Sequence, residues 1–153
     1  KENLSSDMLP DGRMYYNIAK RTIEPMMINN YDIVTDNAVI VQEILNKQAG
    51  MGIKAQVPDL NQSRVDGIID RLDEEEVFDD VKWILDEPIK NFSQAVVDDA
   101  IVKNAEFHEG LGLKPTVTRI VQGNCCDWCR QVAGDYQYPD VPKDVYRRHR
   151  YCR

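Results

Sequence analysis

The sequence predicts a mostly α protein: a helical body over residues 1–112, followed by a small α+β zinc-binding module over residues 113–153. Three observations carry that expectation. Apolar residues before Pro115 recur at helical spacing, the period changes to alternation at Thr116, and all four cysteines fall after residue 124.

Each element has its own warrant. In residues 13–23, Met14, Tyr15, Ile18, Ala19 and Ile23 repeat at helical spacing, and Pro25 reads as a boundary or kink. Thr35 or Asp36 then caps a second helix whose apolar face is Val39, Ile40, Ile44 and Leu45, with Gly50 placed to end it. Pro58 and residues 61–63 start a third helix on the stripe Val65, Ile68, Ile69 and Leu72, and the acids at 73–76 read as its solvated end. Val77, Val81, Ile84 and Leu85 mark a short helix up to Asp86, and Pro88 suits the first turn of the next. That next helix is the longest, running from Ile89 through His108 until Gly110 and Gly112, with Val96, Val97, Ala100 and Ile101 expected in one buried stripe. Beyond Pro115, residues 116–121 alternate as a strand, and Gly123-Asn124 turns into the cysteine knuckle. One helical turn at 130–134 and an extended piece at 136–138 follow. Pro142 then opens a short basic helix toward His149 and Cys152.

Bulk properties narrow the function classes. With 153 residues, 42% hydrophobic and 29% charged, the chain has material for one modest core or two small ones. Its mean hydropathy is -0.51, and no apolar run nears the ~20 residues that span a bilayer, so no membrane role is expected. A net charge of -7 argues against a nucleic-acid-binding surface over the whole chain. The distribution is uneven, however: Lys143, Arg147, Arg148, Arg150 and Arg153 stand against the single acid Asp144 in the last 13 residues. Beginning at Lys1 without methionine and stopping just after a Cys/His cluster, the chain reads as part of a longer polypeptide.

Cys126-x2-Cys129 and His149-x2-Cys152 are two pairs at spacings that let side chains grip one tetrahedral ion, and thiolate with imidazole favours Zn2+. Cys125 is an alternative first ligand, because Cys125-x3-Cys129 is also an allowed spacing. Four protein ligands would leave no open position for water, so the expected site is structural. Thiolates also bind iron, and the plain alternative is a set of ordinary reduced cysteines. A catalytic role for His108 lacks a nucleophile partner, and the Asp79-Asp80 and Asp98-Asp99 pairs point about 100° apart on a helix. No catalytic residue is therefore assigned. Residues 147–150 leave one alternative open, a zinc-framed DNA-binding or nuclease module in which histidine activates water and arginines hold phosphate.

The stretches 123–134 (GNCCDWCRQVAG), 136–139 (YQYP) and 144–153 (DVYRRHRYCR) resemble the Cys-x2-Cys, Ala-Gly, aromatic, His-x2-Cys ending of phage head morphogenesis (minor head) proteins of the Mu F-like group. Residues 81–100, followed by Asn104-Ala-Glu-Phe-His108, are similar to the middle of minor capsid proteins from phages and prophages of Gram-positive bacteria. The resemblance runs from about Tyr16 onward. The family's pattern ends in Cys-x-Cys and this chain stops at Arg153, which leaves open which cysteine is the fourth ligand. The resemblance implies a few-copy virion component, in the host cytoplasm during assembly and then in the head. Its expected partners are portal or capsid proteins, with Lys143, Arg147, Arg148 and Arg150 offering a weak grip on packaged DNA.

Overall fold

The computed structural model describes residues 8–147, and among these the protein is mostly helical with one two-stranded antiparallel sheet. A short 3-10 turn at Pro10–Gly12 leads into α1 (Tyr16–Gln48), which is followed by α2 (Gln62–Glu74) and α3 (Phe78–Val81). A 3-10 turn at Lys82–Leu85 then joins α4 (Glu87–Gly110), and the C-terminal part is β1 (Thr116–Arg119), α5 (Asp127–Gln131), β2 (Gly134–Gln137) and a last 3-10 turn, Lys143–Tyr146.

Helix α1 corrects the expectation of two helices parted at Pro25. It is one helix of 33 residues with Pro25 inside it. Pro25 is exposed, as is Arg21, whose carbonyl would have received the missing N–H, while Ile18, Ala19, Ile23 and Met27 run unbroken along the buried side. Thr35, expected as a cap, is instead buried in mid-helix. The end falls as its sequence requires: Gly50 takes φ 73, and the Gly50 and Met51 amides donate to the carbonyls of Lys47 and Asn46.

The segment 49–61 returns along α1 without regular structure, held by side chains that bond its backbone. Asn46 donates to the Ile53 carbonyl at 3.0 Å and the Tyr31 hydroxyl to the Pro58 carbonyl at 2.6 Å. Asn104 on α4, 2% exposed, accepts the Gln56 amide and donates to the Gln56 carbonyl, both at 2.8 Å, and to the Ala100 carbonyl at 2.9 Å. Asn61 then caps α2, its side chain accepting the Arg64 amide at 3.1 Å. α2 runs antiparallel to α1, since Gln62 reaches Glu24 while Asp73 accepts the Tyr16 amide. Between them, hydrogen bonding from Lys20 holds the Glu24 carboxyl below the usual carboxylate range, and Gln62 and Lys20 do the same for Asp66. This tie is intact at neutral pH and is lost as the pH falls through the lowered carboxyl range.

The main core collects Ile18, Ala19, Ile23 and Met27 of α1, Val65, Ile68, Ile69 and Leu72 of α2, Phe78, Val81 and Ile84, and Ile89, Phe92 and Val96 of α4. The expected stripe on α4 holds only in part. Val96 and Ala100 are buried, but Val97 is half-buried and Ile101 is exposed, because the buried line continues through Asn104, Ala105 and His108 instead. Likewise Ile40, Ile44 and Leu45 stay more than half exposed, since no described segment lies over them.

A second, smaller cluster joins Ala105 of α4 to Val117 and Val145, with Tyr136, Tyr138, Val141 and Tyr146 partly buried around it. β1 pairs antiparallel with β2, Thr116 opposite Gln137 and Arg119 opposite Gly134. The strand stops at Arg119 rather than Val121, and Ile120 is 75% exposed. The helical turn begins at Asp127, not Arg130, and the basic helix after Pro142 shrinks to a 3-10 turn that ends in extended backbone at Arg147 (ψ 141°). Pro142 sets up the turn, but the Arg147 amide already bonds Asp144, so no i→i-4 ladder starts.

Replacing Asn104 with alanine strands both Gln56 backbone groups in a half-buried place. Urea unfolding should show a loss of about 2–3 kcal/mol, and amide exchange should rise first at residues 53–58.

Candidate metal centre

The cysteine knuckle is built by a turn and a helix start. Gly123 takes φ 65, the Cys125 amide donates to the Gly123 carbonyl at 3.1 Å, and Cys126 becomes the extended N-cap of α5. Cys126 and Cys129 are therefore three residues apart on one helical turn, the spacing at which side chains share a face. Cys129 and Cys125 are buried and Cys126 is half-buried. Cys125 and Cys129 also line a cavity of about 380 Å³ between α4 and the module, bounded by Asp98, Ile101, residues 117–122, Val145 and Tyr146. Burial pushes the Tyr146 hydroxyl up from its ordinary value, with Tyr138 and Asp98 adding to the effect.

His149, Cys152, Arg148 and Arg150 lie outside the described residues. Among the described residues, no group of three or more His, Cys, Asp or Glu side chains gathers at one metal-sized site. Of the expected DNA contacts, Lys143 and Arg147 are exposed, and Arg147 pairs with Asp144 at 3.1 Å. That pair is open to water and leaves the arginine available to another anion at little cost. His108 is buried on α4 beside Phe107, with ring centroids 6.1 Å apart. Asp79 pairs with Lys82 on the surface.

Arg119 is the residue that sequence reasoning missed. One guanidinium nitrogen donates to the carbonyls of Val145 and Arg147, both at 2.6 Å, and of Asp144 at 3.2 Å. The same guanidinium sits 5.5 Å from the centroid of the Trp128 ring on α5. Arg119 thus ties the cysteine-bearing turn to the backbone that leads toward residue 149. Its carbonyl partners are 25 to 28 residues away in sequence, so the only local signal was an arginine in an otherwise β-favouring strand.

No protein-family model, curated protein or solved structure matches this chain. Among the described residues, no helix is long and apolar enough to cross a membrane.

Arg119→Ala should release the 143–147 segment. Faster amide exchange there and a loss of about 2 kcal/mol are expected, with Arg119→Lys recovering only part because a lysine lacks the planar fork. Unchanged exchange at 143–147 would mean that the segment is held by Val145 packing alone.

Proposed function

We propose that this chain is a structural and assembly component of a phage head, held against portal or capsid proteins by its acidic helical body and closed at its C-terminal end by Zn2+. The ligands in this reading are Cys126, Cys129, His149 and Cys152, with Cys125 as the alternative to Cys126. The observation that carries it is the Cys126/Cys129 turn, which has the spacing of the minor-head ending and sits on a module that adds only two buried residues, Val117 and Val145, to the cluster it shares with Ala105 of α4.

The physical case is one of need and reach. Structural zinc supplies apparent binding energies of ~10 kcal/mol or more, which suits a module with so small a core. Arg119 fixes the backbone at Arg147 beside α5, and His149 follows two residues later, a tether of at most ~7 Å. Thiolate and imidazole together would close the ion's shell, so it would brace the fold and activate no water. Lys143, Arg147, Arg148 and Arg150 can neutralise only a few phosphates, so DNA contact is secondary in this reading and falls steeply with salt.

Metal analysis of the full chain should give one zinc per molecule, lost in Cys129→Ser and in His149→Ala. Chelation should raise amide exchange over residues 115–147 while leaving α1 and α2 protected. A portal protein should retain the chain at moderate salt, with DNA uncut. Iron in place of zinc would correct the ion; metal-dependent DNA cleavage without portal association would replace the reading with a nuclease.

A further inference from the structure

Thirteen residues of α1 carry an apolar ridge that nothing among the described residues covers. Ile33, Ile40, Val41, Ile44 and Leu45 are each 51–57% exposed. Their spacing of i, i+7, i+8, i+11 and i+12 places them on one side of the helix. Single exposed apolar side chains are ordinary, whereas a contiguous set of this kind marks an interaction site. The ridge is ~18 Å long at 1.5 Å per residue, enough to lie along three turns of another helix.

Beside the ridge is a groove of about 490 Å³, with Ile33, Val41 and Leu45 on its α1 wall and Val97, Ala100 and Ile101 on its α4 wall. The walls are firmly placed. Asn104, at the end of the groove, is bonded to both Gln56 backbone groups and to its own helix, so α4 and the returning segment are fixed to each other there.

Charge selects the occupant. Asp36 and Glu43 follow Ile33 and Ile40 by three residues and so border the ridge, with Asp32 one turn before Asp36. All three are exposed, none is in an ion pair among the described residues, and Lys47 is the one cation in the α1 sequence from residue 32 to residue 48. A second copy fits poorly. An antiparallel two-fold pair centred near Ile40 would set Asp36 of one copy beside Glu43 of the other, between chains that each carry net charge -7. We infer that the ridge and groove receive an amphipathic helix of another protein, apolar at i, i+3, i+4 and i+7 and basic along its flank. The inference uses no residue of the zinc module; it concerns the same acidic helical body that the head-assembly reading sets against a partner, but it rests on the exposed ridge and its flank and not on that reading.

The test uses the full chain and two labelled helical peptides of about 14 residues, alike in their leucine face, one flanked by lysines and the other by glutamates. Fluorescence anisotropy at low salt should show the lysine peptide binding about tenfold more tightly. Asp36→Lys with Glu43→Lys should reverse that preference. Val41→Glu should abolish binding of both peptides while leaving the circular dichroism melt unchanged, as expected for a side chain already in water. Equal binding of the two peptides, or binding indifferent to Val41→Glu, would overturn the inference. So would a concentration-dependent dimer in sedimentation velocity that Val41→Glu dissolves, which would give the face to a second copy.

Discussion

The main constraint on this structure is a mismatch of length. α1 has 33 residues and its antiparallel partner α2 has 13, so the helix can be fully covered only along its first half. Everything in the main core follows from that. The buried apolar residues of α1 stop at Met27, and the segments that complete the core, α2, Phe78 to Ile84 and the start of α4, all gather at the same end. Past Met27, α1 is held by α4 on one side and by irregular backbone on another, which satisfies its polar groups without covering its apolar ones.

Irregular segments in this protein are fixed by polar side chains that read backbone rather than by burial. Asn46, Tyr31 and Asn104 hold the returning strand of chain between α1 and α2. Arg119 holds residues 144–147, and Gln137 donates to the Pro115 carbonyl at 2.7 Å. Such bonds are individually modest, yet the part-buried ones, at Ile53, Gln56, Pro58 and Val145, are expensive to break because each strands a carbonyl or amide that water reaches poorly. The result is a chain with two small cores and a set of polar clamps between them.

What could be read from the sequence was local. Gly50, Gly112, Asn61 and Pro88 end or begin helices where their backbone preferences demand, with both glycines at positive φ. The knuckle at 125–129 was visible because its residues are adjacent. Pro25 misled because a proline breaks a helix only where its missing hydrogen bond matters, and that depends on which side faces water. The start of α5 was hidden because Cys126 takes the cap position without a capping hydrogen bond. Asn104 and Arg119 were illegible for a different reason: their partners lie 48 and 25 to 28 residues away, and only the folded chain brings them together. Of the expected face, Ile40, Ile44 and Leu45 share an exposed side of α1 and Val39 is half-buried to one side of it, and periodicity says nothing of what, if anything, lies against it.

One helix serves both cores. α4 places Val96 in the larger cluster and Ala105 in the smaller, nine residues and ~14 Å apart along a single rod. A rod of that kind carries position faithfully but carries little cooperativity, because no side chain belongs to both clusters. Loosening of the C-terminal module would therefore be felt first along the side of α4 that shares a cavity with it, from Glu87 to Ile101, and at Ala105, while the α1 and α2 part of the main core keeps its own packing.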